Sequence, residues 1–301
     1  MEGNLHESVL IEEVIEALHI EKDHKYVDAT LGNGGHALEI LRRGGSVLGI
    51  DLDPKMLEIT EERLKEAGEK NFRLANGNFT EIGKFVTEND WDNVDGILFD
   101  LGVTNLHLKD LQRGFSFENP DALLDMRINP DSQGVKGSDL LNVLREDQLE
   151  DLFEVTLEPG AAKWISGRVI HSRAEKPISV VGDLLEISRG LKTGKIGLNE
   201  ATLPFLALRI AVNSELTNLE EVLPKAFDLL NKKGRLVVIS FHSREDAIVK
   251  NFFKEKALEG ARIITFRPIK AGNKEMDINK RARSAKMRVL EKVYEKPNQK
   301  E

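Results

Sequence analysis

Residues 25–51 read KYVDATLGNGGHALEILRRGGSVLGID. Lys25–Thr30 is a short apolar strand, and Gly32–Gly35 then turns into an amphipathic stretch that ends at Arg43-Gly44-Gly45. Ser46–Asp51 is a second strand. Strand, tight glycine turn, helix-period segment and strand make a βαβ unit, which commits the chain to a parallel sheet. The rhythm continues outward. Pro54 opens a helix through Ala67, capped by Gly68, and Phe72–Ala75 is a weaker third strand. Val94–Leu101 (VDGILFDL) is the fourth, and its near-continuous apolar run marks it as buried on both faces.

From about Thr104 to Ala211 no segment has strand character. A loop rich in Gly, Asn and Pro (Arg113 to Asp139) leads into helical patterns around Ser138–Leu152, Ala161–Ala174, Ile178–Arg189 and Thr202–Leu216. Strand character returns at Gly234–Phe241 (GRLVVISF), followed by a helix over Arg244–Ala257. Arg262–Phe266 and Lys286–Val293 are two further strands flanking a basic loop. The sequence therefore predicts one α/β domain, residues 1–105 and 212–301, interrupted by a mostly helical insertion, residues 106–211.

Composition removes several function classes. The 301 residues contain no cysteine, which excludes a disulfide framework, a thiolate metal site and a cysteine nucleophile. No metal site is expected. No run of 18 apolar residues exists, and Met1 to His6 carries Glu2 instead of a basic leader, so a cytoplasmic protein without a membrane partner is expected. The net charge is −8, yet residues 260–292 hold ten Lys and Arg against three acids. A basic stretch on an acidic body suits local contact with a polyanion; a solvated hairpin loop is the plainer account.

The turn Asp28–His36 (DATLGNGGH) follows the first strand, and the second strand ends in Ile50-Asp51-Leu52-Asp53. Glycine there permits close approach of backbone to a ligand, or merely a tight turn, and an acid at the second strand's end can accept both ribose hydroxyls. A dinucleotide site wants G-x-G-x-x-G, whereas this loop reads G-N-G-G-H. Asp100 ends the fourth strand, so Asp28, Asp51 and Asp100 are all expected at the carboxyl edge of the sheet. Three acids there would repel a pyrophosphate and tolerate the sulfonium of S-adenosyl-L-methionine, which favours a methyltransferase over an NAD(P) oxidoreductase.

These segments resemble the RsmH (MraW) family of bacterial 16S rRNA methyltransferases. The resemblance runs through HESVLIEEVIEAL (from His6), DATLGNGGH (from Asp28), DGILFDLGV (from Asp95), RGFSF (from Arg113) and LDMR (from Leu124). It continues through RIAVNSEL (from Arg209), GRLVVISFHSRED (from Gly234) and RARSAKMR (from Arg281). It implies a class I, Rossmann-like methyltransferase fold, mostly parallel with an antiparallel edge hairpin, whose inserted helical domain recognises substrate. It also implies S-adenosyl-L-methionine as cofactor, held at positions matching Gly34, Gly35, His36, Asp51, Phe79, Asp100 and His107. At the last of these the family commonly carries glutamine after Ser-Ser-Pro, where this chain has Thr104-Asn105-Leu106-His107. The expected product is N4-methylcytidine at the decoding site of 16S rRNA within the small ribosomal subunit.

Methyl transfer to an exocyclic amine asks for alignment, water exclusion and an acceptor for an N4 hydrogen; Asp100 is the candidate catalytic group, with capping of loop amides as its plainer role. Methylation at cytosine C5 ordinarily proceeds through a thiolate, which this chain lacks. Candidate substrate contacts are Arg113, Phe115, Arg209, Asn213, Ser240, Phe241 and His242, with Arg281 and Arg283 for phosphate. For the phenylalanines core packing is the competing role; for Arg209 and Asn213, an interhelical hydrogen bond. His6 either lines the cleft or caps the first helix. A non-enzymatic RNA-binding assembly factor and a DNA amino-methyltransferase are the alternatives. The latter commonly carries a Pro-Pro-aromatic motif where DLGV stands, so DNA is not the expected partner.

Overall fold

The computed structural model describes residues 8–194 and 197–293. The chain divides into two compact units, Met1–Gly102 with Leu216–Glu301, and Val103–Glu215. The first unit holds seven strands: β1 (Lys25–Asp28), β2 (Ser46–Asp51), β3 (Phe72–Asn76), β4 (Val94–Asp100), β5 (Leu230–Ser240), β6 (Arg262–Ile263) and β7 (Lys286–Glu291). Their order is β3-β2-β1-β4-β5-β7-β6. The pairings among β1 to β5 are parallel, and β7 runs antiparallel to both β5 and β6. This is the expected Rossmann-like sheet with an antiparallel edge.

Side chains alternate across a strand, and the sheet is covered on both faces, so each strand supplies two cores. Val27, Leu48, Ile97, Phe99, Leu236 and Val238 face one layer, closed by helices Ile82–Glu88, Glu215–Leu229 and Ser243–Leu258 through Phe85, Phe227 and Phe253. Tyr26, Val47, Leu98, Val237 and Ile239 face the other, closed by helices Ile11–Leu18 and Gly35–Arg42 through Val14, Leu18 and Ile40. From β1 the chain steps outward to β2 and β3, then returns to β4 on the opposite side. Loops leaving such a reversal part from one another, and ligands of open α/β sheets sit at that crevice.

The second unit is helical, with helices Asn105–Lys109, Gly137–Val143, Glu146–Glu154, Pro159–Glu175, Val181–Ser188 and Thr202–Val212. Its core includes Leu141, Phe153, Ile165, Leu184, Phe205 and Leu208. Its limits lie outside 106–211 because Val103 and Val212 are buried in that core. Among the described residues no helix is long and apolar enough to cross a membrane.

Several elements differ from the sequence reading. The helix expected over 138–152 breaks where Leu144 turns extended (ψ 142°). The one expected over 202–216 ends at Val212, and Ser214 at φ 50° starts a new helix, Glu215–Leu229. The strand from Arg262 stops at Ile263 because Thr265 turns inward: its Oγ1 accepts the Val289 N–H at 2.8 Å, in place of a backbone carbonyl. The basic loop is itself folded, as helix Asn273–Ile278 and a 3₁₀ turn, Lys280–Ser284. His6 lies outside the described residues.

Candidate active site

The glycine turn after β1 is shaped by packing as much as by any ligand. Gly34 has φ +74°, and a Cβ there would lie 2.4 Å from Thr60 Cγ2; one on Gly35 would lie 2.0 Å from Ser8 Oγ. Thr60 also donates to the Gly32 carbonyl (2.8 Å), and Arg63 to that of Asn33 (2.7 Å). Helix Pro54–Glu66 thus braces the turn, a role of Thr60 and Arg63 that sequence reading missed. Asp51 fixes the other side: Oδ2 accepts the Gly32 N–H at 2.8 Å and Oδ1 the Asp53 N–H at 2.9 Å. Asn76 at the end of β3 donates to the Asp51 carbonyl (3.0 Å). Phe79, three residues further on, is half-buried with its ring edge-on to Phe99 at 5.6 Å.

At the ends of β1 and β4 lies a group of buried polar atoms that the fold does not satisfy. Asp28 Oδ2, Asp100 Oδ1 and both ring nitrogens of His36 have no hydrogen-bond partner among the described residues. His36 Nε2 is 3.9 Å from Asp100 Oδ2, too far for a hydrogen bond. The Asp100 N–H donates to Thr30 Oγ1 (2.6 Å), and the Thr30 N–H to Asp28 Oδ1 (3.3 Å), which ties the two strand ends together. Burial pushes the Asp28 carboxyl up to about 7, opposed by the Thr30 N–H and reinforced by the charges of Asp100 and Asp51. Burial likewise raises Asp100 to about 6, with Arg281 opposing and Glu245 reinforcing. His36 is lowered to about 4, by burial and then by Arg281. Partnerless buried groups are uncommon, and here they are acids with a neutral imidazole, a set that fits a ligand carrying positive charge.

The turn after β5 has its own organiser. Glu245, buried, accepts the N–H groups of Phe241 (2.8 Å) and His242 (3.2 Å) through Oε2. His242 Nδ1 caps the same helix by accepting the Glu245 N–H at 3.4 Å. Ser240 Oγ donates to the Lys286 carbonyl (3.3 Å) across the β5–β7 pair. Ser240 and the Nδ1 of His242 hold the turn, whereas His242 Nε2 is buried with no hydrogen-bond partner among the described residues, and Phe241 is half-buried beside them. Glu245 was missed as well, although a Glu three residues after an N-cap is a legible capping signal.

The two arginines expected to contact phosphate are separated. Arg283 is exposed, with Nε donating to the Met276 carbonyl (3.1 Å). Arg281 instead turns inward, its guanidinium 4.5 Å from the centroid of Phe241 and one N–H pointing to the Leu101 carbonyl (3.4 Å).

The remaining candidates lie in the second unit and carry structural work there. Asn213, buried, donates to the carbonyls of Met126 and Arg209 (both 2.9 Å) and accepts from the Ile128 N–H (3.1 Å) and Gln133 Nε2 (2.9 Å). That fills its amide, so it clamps the loop at 126–133. Arg209 makes a two-pronged ion pair with Glu215 (2.8 and 2.9 Å). Arg113 donates to the carbonyls of Arg127 and Ile128 and lies 5.4 Å over Phe115, which is buried in the helical core. His107 is buried: Nδ1 accepts the Thr104 N–H at 3.2 Å, and the ring lies 5.5 Å from Phe115.

The chain is 39% identical over 301 residues to the ribosomal RNA small subunit methyltransferase H of Methylacidiphilum infernorum (isolate V4), covering 96% of this chain and 94% of that protein. It is 38% identical over 315 residues to the protein of the same name from Heliobacterium mobile, covering 96% and 99%. Among solved structures, an rRNA methylase from Streptococcus thermophilus is similar at 13% identity over 94% of each chain, with a TM-score of 0.43. A putative methyltransferase from Streptococcus mutans, in complex with SAH, is similar at 15% identity over 96% and 100%, with a TM-score of 0.48. A sequence model of the MraW methylase family matches residues 3–293, and with relatives so similar over nearly the whole length the chain belongs to that family.

Proposed function

We propose that the protein uses S-adenosyl-L-methionine to methylate the N4 amine of a decoding-site cytidine in 16S rRNA of the small ribosomal subunit. The observation that carries the donor half is the set of partnerless buried atoms on Asp28, His36 and Asp100 at the ends of β1 and β4. The rRNA half is supported by the relatives named ribosomal RNA small subunit methyltransferase H.

Bound S-adenosylmethionine supplies an activated methyl group on a sulfonium sulfur. Asp28 and Asp100 place negative charge beside that cation, where a pyrophosphate would be repelled. Asp51, at the end of β2, would take the ribose hydroxyls, and Phe79 would offer an apolar edge to the purine. Gly34, Gly35 and His36 open helix Gly35–Arg42, whose N-terminal dipole favours the amino-acid carboxylate. We assign no donor contact to His107, whose Nδ1 is taken by Thr104.

Asp100 would accept a hydrogen bond from the cytosine amine and, as N4 gains the methyl group, the proton that N4 must lose. That contact would favour a pyramidal nitrogen with an available lone pair, and the carboxylate would offset the positive charge that develops on N4. The chain has no thiol, so the covalent C5 route is closed. The inserted unit, whose chain leaves directly after Gly102, serves substrate recognition. The test is to incubate undermethylated small subunits with methyl-labelled donor and digest the RNA to nucleosides. Label is expected in N4-methylcytidine; label in another nucleoside, or none, overturns the reading.

A further inference from the structure

Arg281 precedes β7 in a turn held firmly in place. Asn279 Oδ1 accepts the Arg281 N–H at 3.1 Å, Ser284 Oγ donates to the Arg281 carbonyl at 3.3 Å, and Ala282 and Ala285 are buried at 1% and 2% exposure. This turn aims Arg281 inward over Phe241, while Arg283, two residues on, points out. Among the described residues the guanidinium makes one hydrogen bond, the long one to the Leu101 carbonyl, although it carries five N–H donors. Leu101 directly follows Asp100, and the charge of Arg281 is felt at both Asp100 and His36.

Resting on the function proposed above, we infer that Arg281 selects the acceptor base: its guanidinium, backed by Phe241, donates to the O2 carbonyl of an extruded cytosine while Asp100 holds the N4 amine. An acceptor such as Asp100 alone cannot choose between cytosine and adenine, because both bases present an exocyclic amine. They differ at the far end of the same edge, where cytosine has a carbonyl and adenine a C–H. A donor fixed beside Asp100 reads that difference. Its charge opposes the effect of burial on Asp100 and so favours the ionised carboxylate that the amine requires.

The test uses Arg281→Ala and Arg281→Lys in the full chain, with undermethylated small subunits and labelled donor. Arg281→Ala is expected to lower kcat/KM roughly 10- to 100-fold at pH 8.5, where Asp100 is ionised with or without the arginine, to leave donor affinity at that pH and the salt dependence of subunit binding unchanged, and to raise the share of label in adenosine. Arg281→Lys, which keeps a donor but not the plane, is expected to recover part of the rate. Phe241→Leu, an apolar replacement without the ring, is expected to reproduce part of the loss. Turnover by Arg281→Ala equal to that of the parent overturns the inference, as does donor binding weakened at pH 8.5 or a shallower salt dependence. Parent protein that labels a nucleoside other than N4-methylcytidine defeats the functional reading itself, a result separable from all of these.

Discussion

His36 Nε2 lies 3.9 Å from Asp100 Oδ2, both groups largely buried, and no hydrogen bond joins them. With His36 lowered to about 4 and Asp100 raised to about 6, the imidazole is neutral at pH 7 and the pair is not an ion pair. The negative charge of Asp100 is left for something else to use.

Affinity for the methyl donor should therefore depend on pH. A cation is held by ionised carboxylates, and Asp28 and Asp100 take up protons at about 7 and about 6. Lowering the pH from 8 towards 5.5 should weaken binding by up to about tenfold per unit for each proton displaced. Calorimetry in buffers of different ionisation enthalpy should show proton release near pH 6.5. An affinity that stays flat across this range would sink the assignment.

Asp28 makes a stability prediction of opposite character. Its folded value near 7 lies above the ordinary carboxylate value of 3.8, so the folded state holds the proton more tightly than the unfolded one. Its contribution to stability is complete below pH 3.8 and is lost as pH rises through 7. Asp28→Asn should thus stabilise the donor-free protein at pH 8, by on the order of 1–3 kcal/mol, while weakening donor binding. Thermal melting at pH 5 and pH 8 checks this; the gain should be small at the lower pH.

Asp100→Ala should reduce methylation more than about 100-fold while the protein stays folded, if the proposed role of its carboxylate in taking up charge on N4 holds. Single-turnover rates with saturating donor separate chemistry from binding. Near-normal turnover would make the carboxylate a bystander.

Asn213→Ala removes four hydrogen bonds from a buried amide and strands the Ile128 N–H and the Met126 carbonyl. A loss of about 2–4 kcal/mol is expected in the stability of the helical unit. Denaturant unfolding followed through Trp164, in that unit, measures it, and wild-type stability would contradict the clamp.

Arg283→Glu tests the exposed basic turn. If Arg283 meets phosphate, binding to small subunits weakens at low salt and the slope of log K against log salt becomes shallower by about one or two counterions. An unchanged slope removes Arg283 from the interface.

The linear order of residues determined the layers and the parallel sheet. Strands buried on both faces must be apolar almost continuously, as in VDGILFDL, and turns between such strands and helices need glycine. It also determined which acids stand at strand ends, since position along a strand is a local property. Tertiary structure decided what each polar side chain does there. Arg281 and Arg283 are two residues apart in one basic motif, yet one faces Phe241 and the other solvent, because two buried alanines fix the rotation of the turn. Asn213 is bound to the loop at 126–133 and Arg209 to Glu215, contacts that no local pattern encodes. Thr60 was invisible because its task is to fill the space beside Gly34, 26 positions away, and proximity of that kind exists only after the chain has folded.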